Sequence, residues 1–136
     1  PILVTEQYPR GLGHTVEEIK AALPSAVTPL EKTAFSACGA AGFTNYLQQS
    51  SVQQIIVCGV ETHVCVNQTT HDLLDRGYQV HVLADAVASR APEDKQIAFA
   101  KMQAGGALLS STEMALFELL RDASHAQFKA VQQLIK

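Results

Sequence analysis

The run I-I-V-C-G-V, Ile55 to Val60, constrains this chain more than any other six residues. Apart from one glycine it is apolar throughout, the pattern of a strand covered on both faces, as a central parallel strand is. A helical pattern follows from about Thr62 to Arg76, with Gly77 placed to terminate it. A second apolar run, Val80 to Leu83, closes at Asp85. Strand, helix and strand in that order predict a parallel pair, which needs a helical crossover.

The flanks extend the alternation. Ile2 to Thr5 is a short β-branched run that ends at Glu6 and Gln7, and Lys32 to Phe35 is a plausible brief strand. Between them the chain is loop-rich, punctuated by Pro9, Gly11, Gly13, Pro24 and Pro29, with Thr15 and Glu18 spaced as a capping box. Ser36, Gly39 and Gly42 lead into a weak helical pattern through Phe43, Tyr46 and Leu47. Pro92 suits the first turn of a helix through Ile97, Ala98 and Met102. A brief strand at Ala107 to Leu109, a capping box at Ser110 and Glu113 before Met114 to Leu120, and a last helix from Ser124 to Ile135 complete the expectation. That last helix would carry Phe128, Val131, Leu134 and Ile135 on one face. The class is α/β, with a mostly parallel sheet and helices on both faces. One domain is expected over residues 1–136. Because the chain opens on P-I-L-V-T, as a strand already under way, further residues are expected upstream.

Composition narrows the function classes. A net charge of −3 offers no basic footprint for nucleic acid or an anionic membrane surface, and no apolar run has the length of a membrane span. Without a secretory leader pattern, the expected location is the cytosol. Three cysteines without small-domain spacing suit reduced thiols.

In open parallel sheets, sites lie beyond the carboxyl ends of the strands. That rule selects Thr5 to Tyr8, Lys32 to Ser36, and Gly59 to Cys65. With Thr62 as N-cap, Cys65 falls in the first helical turn, where the positive end of the dipole favours thiolate and free N–H groups could hold an oxyanion. The alternative is a small apolar residue packed under the sheet edge. Cys58, inside the apolar run, is expected to be inert core; Cys38 is expected to pack. Lys32 could place positive charge beside a thiolate or be a solvated loop lysine. His63 could line a pocket mouth or stand exposed at the helix start. The five histidines, at 14, 63, 71, 81 and 125, form no metal-ligand motif, and no G-x-G-x-x-G follows a strand.

The segments K-T-A-F-S (Lys32 to Ser36) and I-V-C-G-V-E-T-H-V-C-V (Ile56 to Val66) resemble the isochorismatase-like cysteine hydrolases. T-x-x-D-L-L-D-R-G-Y-Q-V-H-V-L-x-D-A (Thr69 to Ala86) extends the likeness, and the opening T-E-Q-Y-P-R-G-L-G resembles the isochorismatase-domain-containing branch. The resemblance implies a doubly wound, three-layer Rossmann-like sheet and a Cys–Asp–Lys triad. Cys65 would be the nucleophile and Lys32 the triad lysine. A non-proline cis peptide would join Val60 to Glu61, and the backbone N–H groups of Glu61 and Cys65 would form the oxyanion hole, with the Glu61 side chain left facing solvent. The triad aspartate would lie on a first strand upstream of Pro1. No metal or other cofactor is expected, because Thr5 to Tyr8 lacks the histidine that nicotinamidase members use.

The reaction implied is hydrolysis of a small amide, ureide or related substrate, with Gln7, Tyr8, Phe35 and His63 as candidate substrate contacts. Two rivals remain at this point: a catalytically inactive scaffold of the same fold, and a redox-sensing thiol protein in which Cys38 resolves Cys65. The expected partners are a small molecule and further copies of the chain, with neither nucleic acid nor membrane.

Overall fold

The run from Ile55 does become a strand, and every strand pairing around it is parallel. The computed structural model describes residues 1–135. In chain order the elements are β1 (Thr5–Gln7), α1 (Pro9–Leu12), α2 (Glu17–Ala22), β2 (Leu30–Lys32), α3 (Phe43–Gln49), β3 (Gln54–Val60), α4 (Asn67–Asp75), β4 (Gln79–Ala88), α5 (Pro92–Ala104), β5 (Leu108–Ser110), α6 (Thr112–Leu120) and α7 (Phe128–Leu134). The α/β class stands. The strands divide into a pair, β1–β2, and a triplet in the order β3–β4–β5.

β4 is the spine of the triplet, with Val80 and Val82 fully buried. Leu73 of α4 and Ala98, Phe99 and Met102 of α5 pack with them into one core that Phe43 and Leu47 of α3 extend. Each valine, leucine, phenylalanine or methionine so removed from water contributes about 1.5–3 kcal/mol. α6 lies over the other face, beside Ile56 and His81. Pro92 opens α5 at its first turn, where a missing N–H costs nothing. α4 closes as expected: Gly77 takes φ 84°, and the Tyr78 and Gly77 N–H groups donate to the Leu73 and Leu74 carbonyls in a Schellman motif.

Several expectations change. Among the described residues β3 is an edge strand, and only one of its faces is covered: Gln54, Ile56, Cys58 and Val60 are exposed, while Ile55 and Val57 turn inward. Cys58 is therefore exposed rather than core. The apolar run showed that both faces suit burial, not that both are covered. β1 lies later than Ile2 to Thr5, and β2 ends at Lys32 instead of beginning there. β4 runs on to Ala88 past Asp85, whose carboxylate accepts from Thr112 N–H at 2.8 Å and ties β4 to α6.

Two capping boxes also move. Val16, not Thr15, caps α2, because Thr15 is drawn to Glu6. Ser111, not Ser110, caps α6, its Oγ accepting from Met114 N–H. In α7, Phe128 packs edge-to-face on Phe117 at 6.2 Å, but Leu134 is exposed, so the apolar stripe is only half used.

Candidate active site

The carboxyl ends of β1, β2 and β3 converge. Gln7 and Lys32 are the last residues of β1 and β2 and are register partners, so their side chains rise side by side. β3 reaches the same end after a register shift between Val57 and Gly59, where Gly59 takes φ 118°, a conformation costly for any other residue. The Val60–Glu61 peptide that follows is cis. Gln7, Lys32 and Cys65 all line one cavity of about 510 Å³, with Thr5, Thr69 and Val60.

Cys65 stands on a five-residue π-helical turn, Thr62–Val66, rather than in an α-helix. The Val66 N–H donates to the Glu61 carbonyl at 3.1 Å, one residue beyond the α-helical reach. Turns of this kind recur at functional sites, because they widen the helix to aim a side chain. Thr62 does not cap the turn. Its side chain is fully buried and its Oγ1 has no partner among the described residues. Sequence patterns carry no sign of this widening, since the same residues suit an α-helical first turn.

Lys32 is only 7% exposed. Its Nζ donates to Gln7 Oε1 at 2.5 Å, Phe35 O at 2.8 Å and Ala34 O at 3.1 Å, and lies 3.7 Å from Cys65 Sγ. Three carbonyl oxygens occupy its three protons. None carries charge, and no carboxylate among the described residues joins them. A buried ammonium so placed lacks a counter-ion, and a thiolate at Cys65 would supply one. The Gln7 amide is held in orientation because Nε2 donates to Thr33 O at 2.8 Å. Its Oε1 is also 4.0 Å from Cys65 Sγ.

Of the four candidate substrate contacts, Gln7 lines this cavity. Tyr8 and Phe35 are exposed beside it, and Phe35 contributes its carbonyl to Lys32. His63 turns toward the end of β4, with Nδ1 3.0 Å from Ser89 Oγ. The Glu61 side chain does not simply face solvent: its Oε2 lies 3.5 Å from His63 Nδ1 and 3.8 Å from Arg90 Nε. Ser89 and Asp94, which reach the Cys65 turn from just past β4 and from α5, gave no signal as partners of His63 in the sequence. Burial pushes the Cys38 thiol up from its ordinary value, and its charged neighbours are Arg76 and Asp72, at the far end of α4 from Cys65. Both facts weigh against Cys38 as a resolving partner.

The model of the isochorismatase domain matches residues 1–114. The chain is 46% identical to isochorismatase domain-containing protein 2A of Mus musculus over its whole length and spans 64% of that protein. The MAR1 ribonuclease structure from Caenorhabditis elegans superposes with a TM-score of 0.93 at 46% identity, covering 99% of this chain and 69% of that one. YcaC from Pseudomonas aeruginosa, solved with covalent acrylamide, gives a TM-score of 0.83 at 28% identity over 98% and 71% of the two chains. The nicotinamidase of Bacillus subtilis gives a TM-score of 0.60 at 26% identity over 68% and 52%. Among the described residues, no three His, Cys, Asp or Glu side chains gather as metal ligands, and no helix is long and apolar enough to cross a membrane.

Proposed function

This chain belongs to the isochorismatase domain family, and from that premise we propose that it carries the site of a cysteine hydrolase acting on a small amide, ureide or related substrate. The observation that carries the reading is the 3.7 Å approach of Cys65 Sγ to a buried lysine without a carboxylate partner. In the proposed reaction the Cys65 thiol gives its proton to a base and its sulfur attacks the carbonyl carbon. The C–N bond breaks, the amine leaves with a proton, and water cleaves the thioester to release the acid and restore the thiol. Lys32 balances the charge on sulfur, and the backbone N–H groups of Glu61 and Cys65 receive the developing oxyanion.

The base is proposed to come from a further strand. Among the described residues β1 pairs only with β2 and β3 only with β4, so each keeps one unpaired edge, and both edges line the cavity. A third parallel strand seated there would join the pair and the triplet into one sheet. Its carboxyl end would emerge beside Lys32 and Cys65, where an aspartate would complete the triad. Two similarities support the reading: the nicotinamidase is an amide-cleaving enzyme by name, and acrylamide, bound covalently in YcaC, is an electrophile that thiolates attack. A phosphodiester substrate, as the ribonuclease name of the nematode structure would imply there, is less suited to a chain of net charge −3.

The test is a panel of small amides and ureides on the intact protein, read by amine or ammonia release. Wild type is expected to turn over at least one member, and Cys65→Ala none. Turnover that survives in Cys65→Ala would exclude this nucleophile.

A further inference from the structure

The turn that carries Cys65 is fastened from outside the cavity, and one side chain joins it to two other segments. His63 is two residues before Cys65, and its side chain is 19% exposed. Its Nδ1 lies 3.0 Å from Ser89 Oγ, just past the end of β4, and 3.5 Å from Glu61 Oε2 on the turn itself. Its Nε2 lies 3.8 Å from Asp94 Oδ2, in the first turn of α5. Glu61 Oε2 in turn accepts from Arg90 N–H at 3.5 Å and lies 3.8 Å from Arg90 Nε. Three segments separate in sequence, the turn, the end of β4 and the start of α5, thus meet at one imidazole.

We propose that His63 is a positioning residue: its ring fixes the Glu61–Val66 turn against the β4–α5 junction and so sets where Cys65 stands relative to Lys32. The contact to Sγ is 3.7 Å, and Coulomb interaction at that range is steep, so a turn that drifts loses the influence of the ammonium. Cys65, Val66 and Val60 line the cavity between β1 and β3 and His63 does not, which places the ring on another side of the turn from Lys32. The Ser89 hydroxyl can accept from the ring or donate to it, so the contact holds with either tautomer of His63. The role rests on the cysteine-hydrolase reading of the same site, yet its readouts do not need a substrate.

The experiment compares the purified protein with His63→Ala, His63→Asn and Ser89→Ala. Amide hydrogen exchange is followed over residues 61–66, and the ratio of acrylamide labelling at Cys65 to that at exposed Cys58 is measured by peptide mapping. His63→Ala and Ser89→Ala are each expected to speed exchange in the turn by about tenfold, the factor that one lost hydrogen bond is worth. Both are expected to lower the Cys65:Cys58 ratio. His63→Asn, which keeps a donor near the Nδ1 position, is expected to restore much of both. If His63→Ala does not fold, Ser89→Ala carries the decision alone. Unchanged exchange and ratio in the variants would overturn the positioning role. A wild-type protein with no preference for Cys65 would instead overturn the hydrolase reading, so the two failures are distinguishable.

Discussion

Glu6 and Lys32 are buried to nearly the same degree, 8% and 7% exposed, on neighbouring parallel strands, and they have opposite fates. The Glu6 carboxylate is closed. Oε1 accepts from the Thr15 N–H and hydroxyl, each at 2.7 Å, and Oε2 accepts from His14 Nδ1 at 2.8 Å. The Thr15 backbone N–H above all, then its hydroxyl and His14, hold the carboxyl down at about 2. Lys32 has as many hydrogen bonds but only neutral partners, and a sulfur stands next to it. Burial of a charge is therefore not in itself a mark of chemistry. What distinguishes the two is whether the charge has been balanced by the fold or left for something else to balance.

Substitutions at the two positions should separate these roles. Lys32→Met in the intact protein is expected to lower turnover by about 10²–10³-fold, the scale of losing one preorganised electrostatic contact. Stability should fall too, by about 1–3 kcal/mol, because the Gln7, Ala34 and Phe35 oxygens lose their donor, so the mark of Lys32 is the loss of turnover. Glu6→Ala should lower stability by about 2 kcal/mol because the Thr15 donor is orphaned, yet nearly keep turnover. Urea unfolding beside a turnover assay checks both, and a Glu6 variant that loses activity with unchanged stability would break the contrast.

Acid sharpens it. Because the folded pKa of Glu6 lies below the ordinary carboxylate value, its contribution to stability is fully present above about 4.5 and is lost as pH falls toward about 2. Wild type and Glu6→Ala should therefore converge in stability across that window. A gap that stays constant from pH 7 to pH 2 would show that Glu6 acts by packing alone. The smallest effect is expected far from both charges. Ser111→Ala removes the α6 cap and should cost about 1 kcal/mol in urea unfolding, with no change in Cys65 labelling.

Much of this was legible in the sequence, and the limits have physical causes. The alternation of apolar runs and helical patterns placed β3, α4, β4 and α5, and the carboxyl-end rule selected the three segments that meet around the cavity. Gly77 and Pro92 signalled element ends because their backbone preferences are local. Cys58 was misjudged because an apolar run reports what a strand tolerates, whereas exposure depends on what packs over each of its faces. The capping boxes at Thr15 and Ser110 failed for a related reason: a hydroxyl bonds to whichever partner tertiary structure brings closest, and for Thr15 that is Glu6, nine residues away in sequence. The fastening of His63 to Ser89 and Asp94 spans 26 and 31 residues, beyond the reach of any local pattern.

The exposed thiol of Cys58 and the half-buried thiol of Cys65 give the most direct test of the proposal that Lys32 activates Cys65. The purified protein would be treated with limiting acrylamide, and adducts at each cysteine counted by peptide mapping. Accessibility alone favours Cys58, which is exposed, over Cys65, which is not. Faster labelling of Cys65 than of Cys58, with that preference abolished in Lys32→Met, is the expected result. Faster labelling of Cys58, or a Cys65 preference that Lys32→Met leaves intact, would contradict it.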